Sequence, residues 1–485
     1  MYLKEYENNR KEFYEVVETY GFGRLVMFTN EKNIDNSNIL KELSEAINIH
    51  QINVAAIKYL DRYYRGDQPI LYRDKEVRPE INHKIVENHA LEIVDSKVAD
   101  LYGEPIQYVL ADNNDDKKAK QMLLLNKYMK SEDKAALDIE RGRWASIAGT
   151  SYFYVGNENR MPKIFDEAPF YISCESPLNT FVVYYADDHT PAFACRIRQD
   201  DNGTIYNVYT SQNIFLVRNG VIEEVSGNGN DMIPVIEYPN NERRMSDIEI
   251  TISLTDAIND MQSDRLNSID QFVQAFLMFK NCEIDEETFK RMKEQGAIAV
   301  TDSGDGRTAD IKMLASELSQ DGTQVSKDDL YNSLLVIQGM PSRQEATGGD
   351  TGQAVALRNG YYAEAKRAEL RIPVFQKAER MMLRIVLNKL RVARWNIDGF
   401  DLSISDIDIR PNRSKLENMM VKAQVLQLLH SIGIDDATAI KTVNLFSDNQ
   451  DTYMKSKERM SEHFESLISN TETIVDEVDD GDTTV

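Results

Sequence analysis

No run of about eighteen apolar residues occurs anywhere in this 485-residue chain, so a membrane-spanning helix is excluded on length. The opening residues, MYLKEYENNRKEFYEVVE, mix charges throughout. They lack an apolar core before a small-residue cleavage site, so a secretory signal is not expected. Cysteine is scarce: Cys174, Cys195 and Cys282 are odd in number and far apart, which argues against a disulfide framework and for a reducing compartment. With no C-x-x-C or H-x-x-x-H pair, a zinc site is not expected either. Positive charge is also in short supply, with a net charge of −24 and a pI near 4.8. Ordinary duplex binders present a basic face that replaces phosphate counterions, and an acidic chain that meets DNA must do so without a broad grip.

What is present suits large folded cores. Hydrophobic residues make up 42% and charged residues 28%, and the length implies roughly two to four domains. The first half reads as α+β. Helical periodicity covers 1–30, 39–65 (stopped at Gly66), 83–102 and 116–148. The pattern then shifts to β-branched and aromatic runs at 151–155, 170–174, 180–185, 192–198, 204–210 and 213–217. Asn219-Gly220 between apolar runs signals a type I′ hairpin, and the whole block reads as an antiparallel sheet or sandwich. A helix is expected over 252–279, a small mixed insert over 280–315, and a second helix over 322–338 closed by Gly339. The segment 341–352 has no apolar anchor and reads as a loop. A long helix follows over 353–394 with a kink near Pro373, then a strand at 401–409, helices over 414–469 and an acidic tail.

Several of these blocks carry a resemblance. MIPVIEYPNNERRMSDIEITISLTDAINDMQSDRLNSIDQFVQAFLMFKN (232–281) resembles the signature block of portal proteins from long-tailed bacteriophages with Gram-positive hosts. ADIKMLASELSQ…LLVIQGMP (309–341) and GDTGQAVALRNGYYAEAKRAELRIPVFQKAERMMLRI (349–385) follow in the same order and spacing, and IKYLDRYYRGDQPIL (57–71) with IVENHALEIVDSKVADLYGEPIQY (85–108) precede them. The resemblance covers about residues 50–400.

It implies a helix-rich α+β portal fold that assembles as a ring. Residues 1–248 would form a wing, 249–279 a stem helix, 280–315 a clip, 316–340 a second stem helix and 341–352 a tunnel loop. Residues 353–410 would return to the wing as a kinked helix and strand, 411–470 would form a crown, and 471–485 would be a disordered acidic tail. The implied work is that of a DNA channel at one capsid vertex, which docks the terminase during packaging, retains the genome and joins head to tail. The implied partners are eleven or twelve further copies of the chain, double-stranded DNA, the terminase motor, a head-completion or adaptor protein, and the major capsid and scaffolding proteins. Assembly in the host cytoplasm and residence in the virion follow, with no cofactor, metal or catalytic residue. The alternatives are another capsid-associated protein (minor head or scaffold-like) and a metal-dependent nuclease.

Particular residues admit two readings each. Asp256, Asp260 and Asp264 are four apart and share a helix face. They are either a channel or inter-subunit surface, or a solvated face of an amphipathic helix. Ser342, Arg343, Gln344, Glu345, Thr347, Gly348, Gly349 and Asp350 would belong to the tunnel loop. They lack the Lys-Ser/Thr pair of a phosphate-binding loop. The stretch 353–394 holds ten Lys and Arg against three Glu, a net +7 in an acidic chain. Arg358, Lys366 and Arg367 would therefore touch DNA phosphates or pair with acidic neighbours in the ring. The apolar faces of 252–279 and 322–338, joined by so short an insert, are expected to pack between subunits.

Overall fold

The computed structural model describes residues 2–111, 116–156, 167–229, 231–273, 276–280, 287, 290, 310–314, 320–341, 366–367, 369–392, 399–411, 419–443 and 455–461. Helix α1 (Tyr2–Tyr20) leads to a short strand β1 (Met27–Thr29) and to α2 (Ile39–Tyr64), which ends before Gly66 at φ +87°. The apolar positions of α2 serve two cores. Ile39, Leu43 and Ala46 pack against a sheet, while Ala56, Tyr59, Leu60 and Tyr63 pack with Tyr6 and Phe13 of α1 and with Ala90, Val94 and Val98. These last three lie on α3 (His89–Tyr102), which is capped by the Asn88 side chain accepting from the Leu91 N–H. The expected helix start at 83 is thus too early. The 116–148 stretch is two helices, α4 (Asp116–Ser131) and α5 (Lys134–Ala148), broken where Asp133 takes φ +50°.

The β-rich block forms two sheets, and with a distant strand added it is not wholly antiparallel. Strands β3 (Thr150–Gly156), β4 (Tyr171–Glu175) and β10 (Val235–Pro239) make a three-stranded sheet with β3 central. Strands β5 (Thr180–Tyr185), β6 (Pro191–Asp200), β7 (Gly203–Tyr209), β8 (Asn213–Arg218) and β9 (Val221–Gly227) make a meander. The distant strand β1 joins it by pairing parallel to β5. The Asn219-Gly220 turn is as expected: both residues have positive φ (+49° and +74°), and Arg218 pairs with Val221.

Helix α6 (Ile252–Val273) is shorter than the expected 252–279, because 276–280 is a strand. This strand, β11 (Phe276–Lys280), pairs antiparallel with β12 (Asp310–Leu314). A short apolar run such as FLMFK satisfies either periodicity, and here its ladder partner decides. Helix α7 (Gln320–Gln338) packs back along α6, and Ile258, Leu334, Leu335 and Met340 close around Ile93 of α3. Part of the apolar surface of α6 and α7 is therefore buried within the chain, against the expectation that it packs between subunits. Val325 and Val336 on α7 remain 61% and 69% exposed.

Helix α8 (Ile372–Val392) follows a turn at Leu370 and Arg371, so the expected kink is a full break, with Pro373 in the first turn of the new helix. That position needs no N–H donor. Phe375, Met382, Leu383 and Val386 of α8 pack on β3 and β10 in the largest core. The expected 401–409 strand is a 3₁₀ turn at Ile404–Asp406 followed by β13 (Ile407–Arg410), which pairs with β2 (Gln107–Leu110) and ties the chain after α8 to its first half. Helices α9 (Met419–Ser431) and α10 (Asp436–Val443) pack together beyond it.

Candidate functional site

Two polar stripes run down α6, one buried and one acidic. Asn259, Ser263 and Asn267, four apart, are buried under an extended strap at residues 83–87. The strap's backbone N–H groups supply the partners: His83 donates to Asn267 Oδ1 at 2.8 Å, Ile85 to Ser263 Oγ at 2.9 Å and Glu87 to Asn259 Oδ1 at 2.7 Å. The geometry is a matter of pitch. Two extended residues rise about 6.6 Å and four helical residues about 6.0 Å, so an antiparallel strap stays in step with one helix face. At the upper end, Asn259 Nδ2 donates to Gln68 Oε1 at 2.5 Å, and Gln68 Nε2 donates to Tyr63 O and Asn88 Oδ1.

The three aspartates lie beside that ladder, and the structure divides them. Asp256 is turned towards α2 and accepts from Tyr63 Oη at 2.8 Å. Burial pushes its carboxyl up to about 6, against the opposing effects of Tyr63 and Arg10. Asp260 and Asp264 stay 57% and 59% exposed and share one cation, Arg73 of the strap region, whose Nη1 lies 3.6 Å and 2.9 Å from them. Nearly two turns further, Asp270 Oδ2 meets His83 Nε2 at 2.5 Å.

The end of α7 is the second element. Gly339 (φ +66°) and Met340 close it with bonds to Val336 O (3.2 Å) and Leu335 O (2.8 Å), and Met340 packs in one cluster with Leu335. This is the Schellman arrangement, which satisfies carbonyls of the last turn. Cations take the carbonyls at its end. Arg367 Nη1 donates to Val336 O at 3.0 Å and Ile337 O at 3.1 Å, and Lys97 Nζ donates to Gln338 O. Both charges sit where the helix dipole favours them. A glycine is needed here for space as well as for φ, since a Cβ at 339 would lie 2.6 Å from the Arg367 side chain. Beneath, Arg371 grips Asp247 with both Nη atoms, and Gln338 Nε2 donates to Asp247 O at 2.6 Å. Burial raises the Asp247 carboxyl, but Arg371 and Ser146 hold it below the usual carboxylate range.

The three basic candidates are thereby separated. Arg367 does not project as a free contact, and among the described residues it meets backbone carbonyls rather than a carboxylate; it caps α7 of its own chain. Lys366 pairs with Glu369 at 3.1 Å on an exposed surface, so its acidic neighbour lies in the same chain. Arg358 and the eight loop candidates, Ser342, Arg343, Gln344, Glu345, Thr347, Gly348, Gly349 and Asp350, lie outside the described residues. What the chain does show is that Gly339 and Arg367 meet at the end of α7.

Sequence reasoning missed a third element, a buried charge cluster that fastens α8 to α5, β2 and β10. Glu379 accepts from Tyr238 Oη at 2.7 Å and from Tyr108 Oη, and pairs with Lys134 at 3.0 Å. Lys134 is held in turn by both oxygens of Asp138, at 2.7 and 2.8 Å. Lys134 and Asp138 are four apart on α5, which is a visible signal, but nothing in the sequence distinguishes a buried pair from a surface one. Asn259, Ser263 and Asn267 did offer a signal, small polar residues at helical steps of four.

A family model described as "Phage portal protein, SPP1 Gp6-like" matches residues 43–465. No curated protein sequence matches the chain. Among solved structures, a chain of "Virion of native gene transfer agent (GTA) particle" is 13% identical with a TM-score of 0.43, covering 80% of this chain and 93% of that one. A chain of "Neck of native GTA particle computed with C12 symmetry" is 12% identical with a TM-score of 0.43, covering 73% and 89%. A chain of "Neck of empty GTA particle computed with C6 symmetry" is 12% identical with a TM-score of 0.45, covering 74% and 90%. The family match covers most of the chain, and the chain belongs to the phage portal proteins, the structural proteins that form the ring-shaped DNA channel at one vertex of the capsid.

Proposed function

We propose that this portal chain forms a ring of twelve in the virion, with thirteen an alternative for isolated rings, and that double-stranded DNA passes through it without sequence preference. Helices α6 and α7 are the stem, the 280–315 segment is the clip, and Ser342–Asp350 supply the tunnel loop. The observation that carries this reading is the joint at Gly339 and Arg367, which roots the loop segment at the end of a stem helix. Exposed Val325 and Val336 on α7 give an apolar surface that a second copy can cover. Asp260 and Asp264 keep more than half their surface in solvent and are the channel-facing members of the acidic trio; Asp256 is the member tied to the wing.

Charge explains how such a channel conducts. A wall belonging to a chain of net charge −24 offers phosphate few places to settle, so DNA is not held at any fixed register. Arg358 on the return segment is the remaining candidate for a phosphate contact. The terminase motor supplies ATP hydrolysis, a head-completion protein docks after packaging, and the major capsid and scaffolding proteins surround the wing during assembly in the host cytoplasm.

The test has two stages. Mass photometry at micromolar concentration should give rings of roughly a dozen chains, and a stable monomer or dimer would sink the reading. Deleting 343–350 should leave ring assembly intact and reduce DNA packaging or retention. Full retention in that variant would leave the loop as a connector only.

A further inference from the structure

Helix α8 turns one side to the core and a row of cations to solvent. Phe375, Met382, Leu383 and Val386 are buried, while Lys377, Arg380, Arg384 and Arg391 are exposed. Steps of three, four and seven residues keep all four on one narrow face of the helix, about 21 Å long. Lys377 and Arg380, and Arg380 and Arg384, are helix-surface neighbours, so like charges repel along the row. The one carboxylate of α8, Glu379, is buried on the other side and held by Tyr108, Tyr238 and Lys134. Among the described residues no carboxylate pairs with Lys377, Arg380 or Arg384, although Lys366 and Arg371 just before them are both paired. Arg391 donates to a neutral acceptor, Leu402 O, at 2.8 Å. In a chain with 80 Asp and Glu against 56 Lys and Arg, a row left unneutralised in this way calls for an anionic occupant.

The opposite imbalance lies in residues 460–485, which hold eight carboxylates and no Lys or Arg. Five of the eight fall within seven residues: Asp476, Glu477, Asp479, Asp480 and Asp482. Drawn out, that run measures about 20 Å, the length of the row on α8. Its carboxylates also repel one another, so bringing the two charge runs together relieves both. The segment lies outside the described residues, and its tether leaves it free to reach the row. Gln376 Nε2 donates to Ile409 O at 2.9 Å, so the chain leaves β13 beside Lys377, and residues 411–475 give ample length for a return.

We propose that the acidic segment 472–482 lies along the basic row of α8, in its own copy or the next copy of the ring, and covers it. Length and charge select this occupant: it is the densest carboxylate run in the sequence, and it carries no cation of its own. Duplex phosphate is the rival ligand. Tethering favours the segment, because a linked partner acts at a high effective concentration whether or not DNA is present. The contact screens Lys377, Arg380 and Arg384 from phosphate, which an uncovered row would grip in a salt-dependent way. It forms on an exposed face, so salt weakens it, and the cover is reversible.

The experiment uses the full chain as an assembled ring. Lys377 is the lysine of the row, so a carbodiimide, which joins an amine directly to a carboxylate, reports the contact. Mass spectrometry should find Lys377 linked to acidic residues of 472–482 at low salt. The link should fade at about 1 M sodium chloride, where screening falls to about 3 Å. In a chain ending at Thr471, acylation of Lys377 should quicken by about threefold or more, as expected if the segment fills the row about two-thirds of the time. Lys41 of α2 serves as the unchanged reference. The described core clusters all lie before residue 410, so the shortened chain keeps them. Asp476→Asn, Glu477→Gln, Asp479→Asn, Asp480→Asn and Asp482→Asn together should act like the truncation at full length. Links from Lys377 to other segments alone, or none, overturn the proposal, and this measurement on the unaltered chain decides even if a variant fails to fold. Acylation unchanged in both variants overturns it too. So does duplex DNA that protects Lys377 equally with and without the segment, which would make the row a DNA surface.

Discussion

In the six-stranded sheet the buried side chains are mostly apolar: Phe181, Phe193, Val208 and Phe215 face Ile39, Leu43 and Ala46 of α2. Helix α6 is seated differently, through Asn259, Ser263 and Asn267 on the strap and Asp256 on Tyr63. Apolar burial is strong but non-directional, and a small slide costs it little. The ladder on α6 has one register, because a slide of one helical residue breaks all three bonds together. The six-stranded sheet is thus held by surface area and α6 by position. A subunit that must present the same helix to its neighbours around a ring has reason to fix that helix by bonds of this kind. Helix α8 combines both means, with an apolar face on β3 and β10 and the Glu379 cluster at its centre.

The largest effect should come from breaking that cluster. Glu379→Leu leaves two tyrosine hydroxyls without their acceptor and Lys134 with one carboxylate instead of two. A loss of about 3–5 kcal/mol is expected, read as a lowered denaturant midpoint for the chain. If the loss proves smaller than that of the α6 variants, the contrast between the sheet region and α6 fails.

A middle effect is expected at Asp256. Burial holds its carboxyl at about 6 against an ordinary value of 3.8, so the folded chain keeps that proton more firmly than the unfolded one. The stability this contributes is present at low pH and is lost as pH rises from about 4 through 6. The size is on the order of 2–3 kcal/mol. Asp256→Asn keeps an acceptor for Tyr63 and should flatten this slope. An unchanged pH profile would mean that the attachment of α6 to α2 does not depend on the protonation of this residue.

The smallest effect tests the ladder itself. Ser263→Ala leaves the Ile85 N–H without its acceptor, at a cost of about 1 kcal/mol. The better helix propensity of alanine offsets part of that. Amide exchange should quicken at Ile85 and its neighbours in the strap and stay unchanged in β5 to β8. Exchange that quickens across the sheet as well would join the two regions into one cooperative unit and remove the comparison.

How much was legible differs by element. The turn at Asn219-Gly220 and the helix stops at Gly66 and Gly339 were readable because positive φ strongly favours glycine, with asparagine the common substitute. The acidic trio and the basic stretch after 352 were readable as chemistry. The partners Tyr63, Arg73 and the α7 carbonyls were not, since they lie far away in sequence. The early start assigned to α3 has the same cause: 83–88 carries a helical pattern, but its N–H groups bond to α6 rather than to their own carbonyls.

By itself, then, the sequence determined what acts within a few residues: helix and strand periods, turn chemistry, local charge, and the ordered blocks that mark a phage portal protein. Only the tertiary structure decided the partners of those groups. It divided the aspartates between Tyr63 and Arg73, set Arg367 on a helix end, and drew the distant β1 parallel to β5. It also buried Arg141 among four rings beside a cavity. The physical reason is range. Backbone preference acts through neighbouring torsions, whereas burial, ion pairing and desolvation depend on which distant segments arrive at the same place.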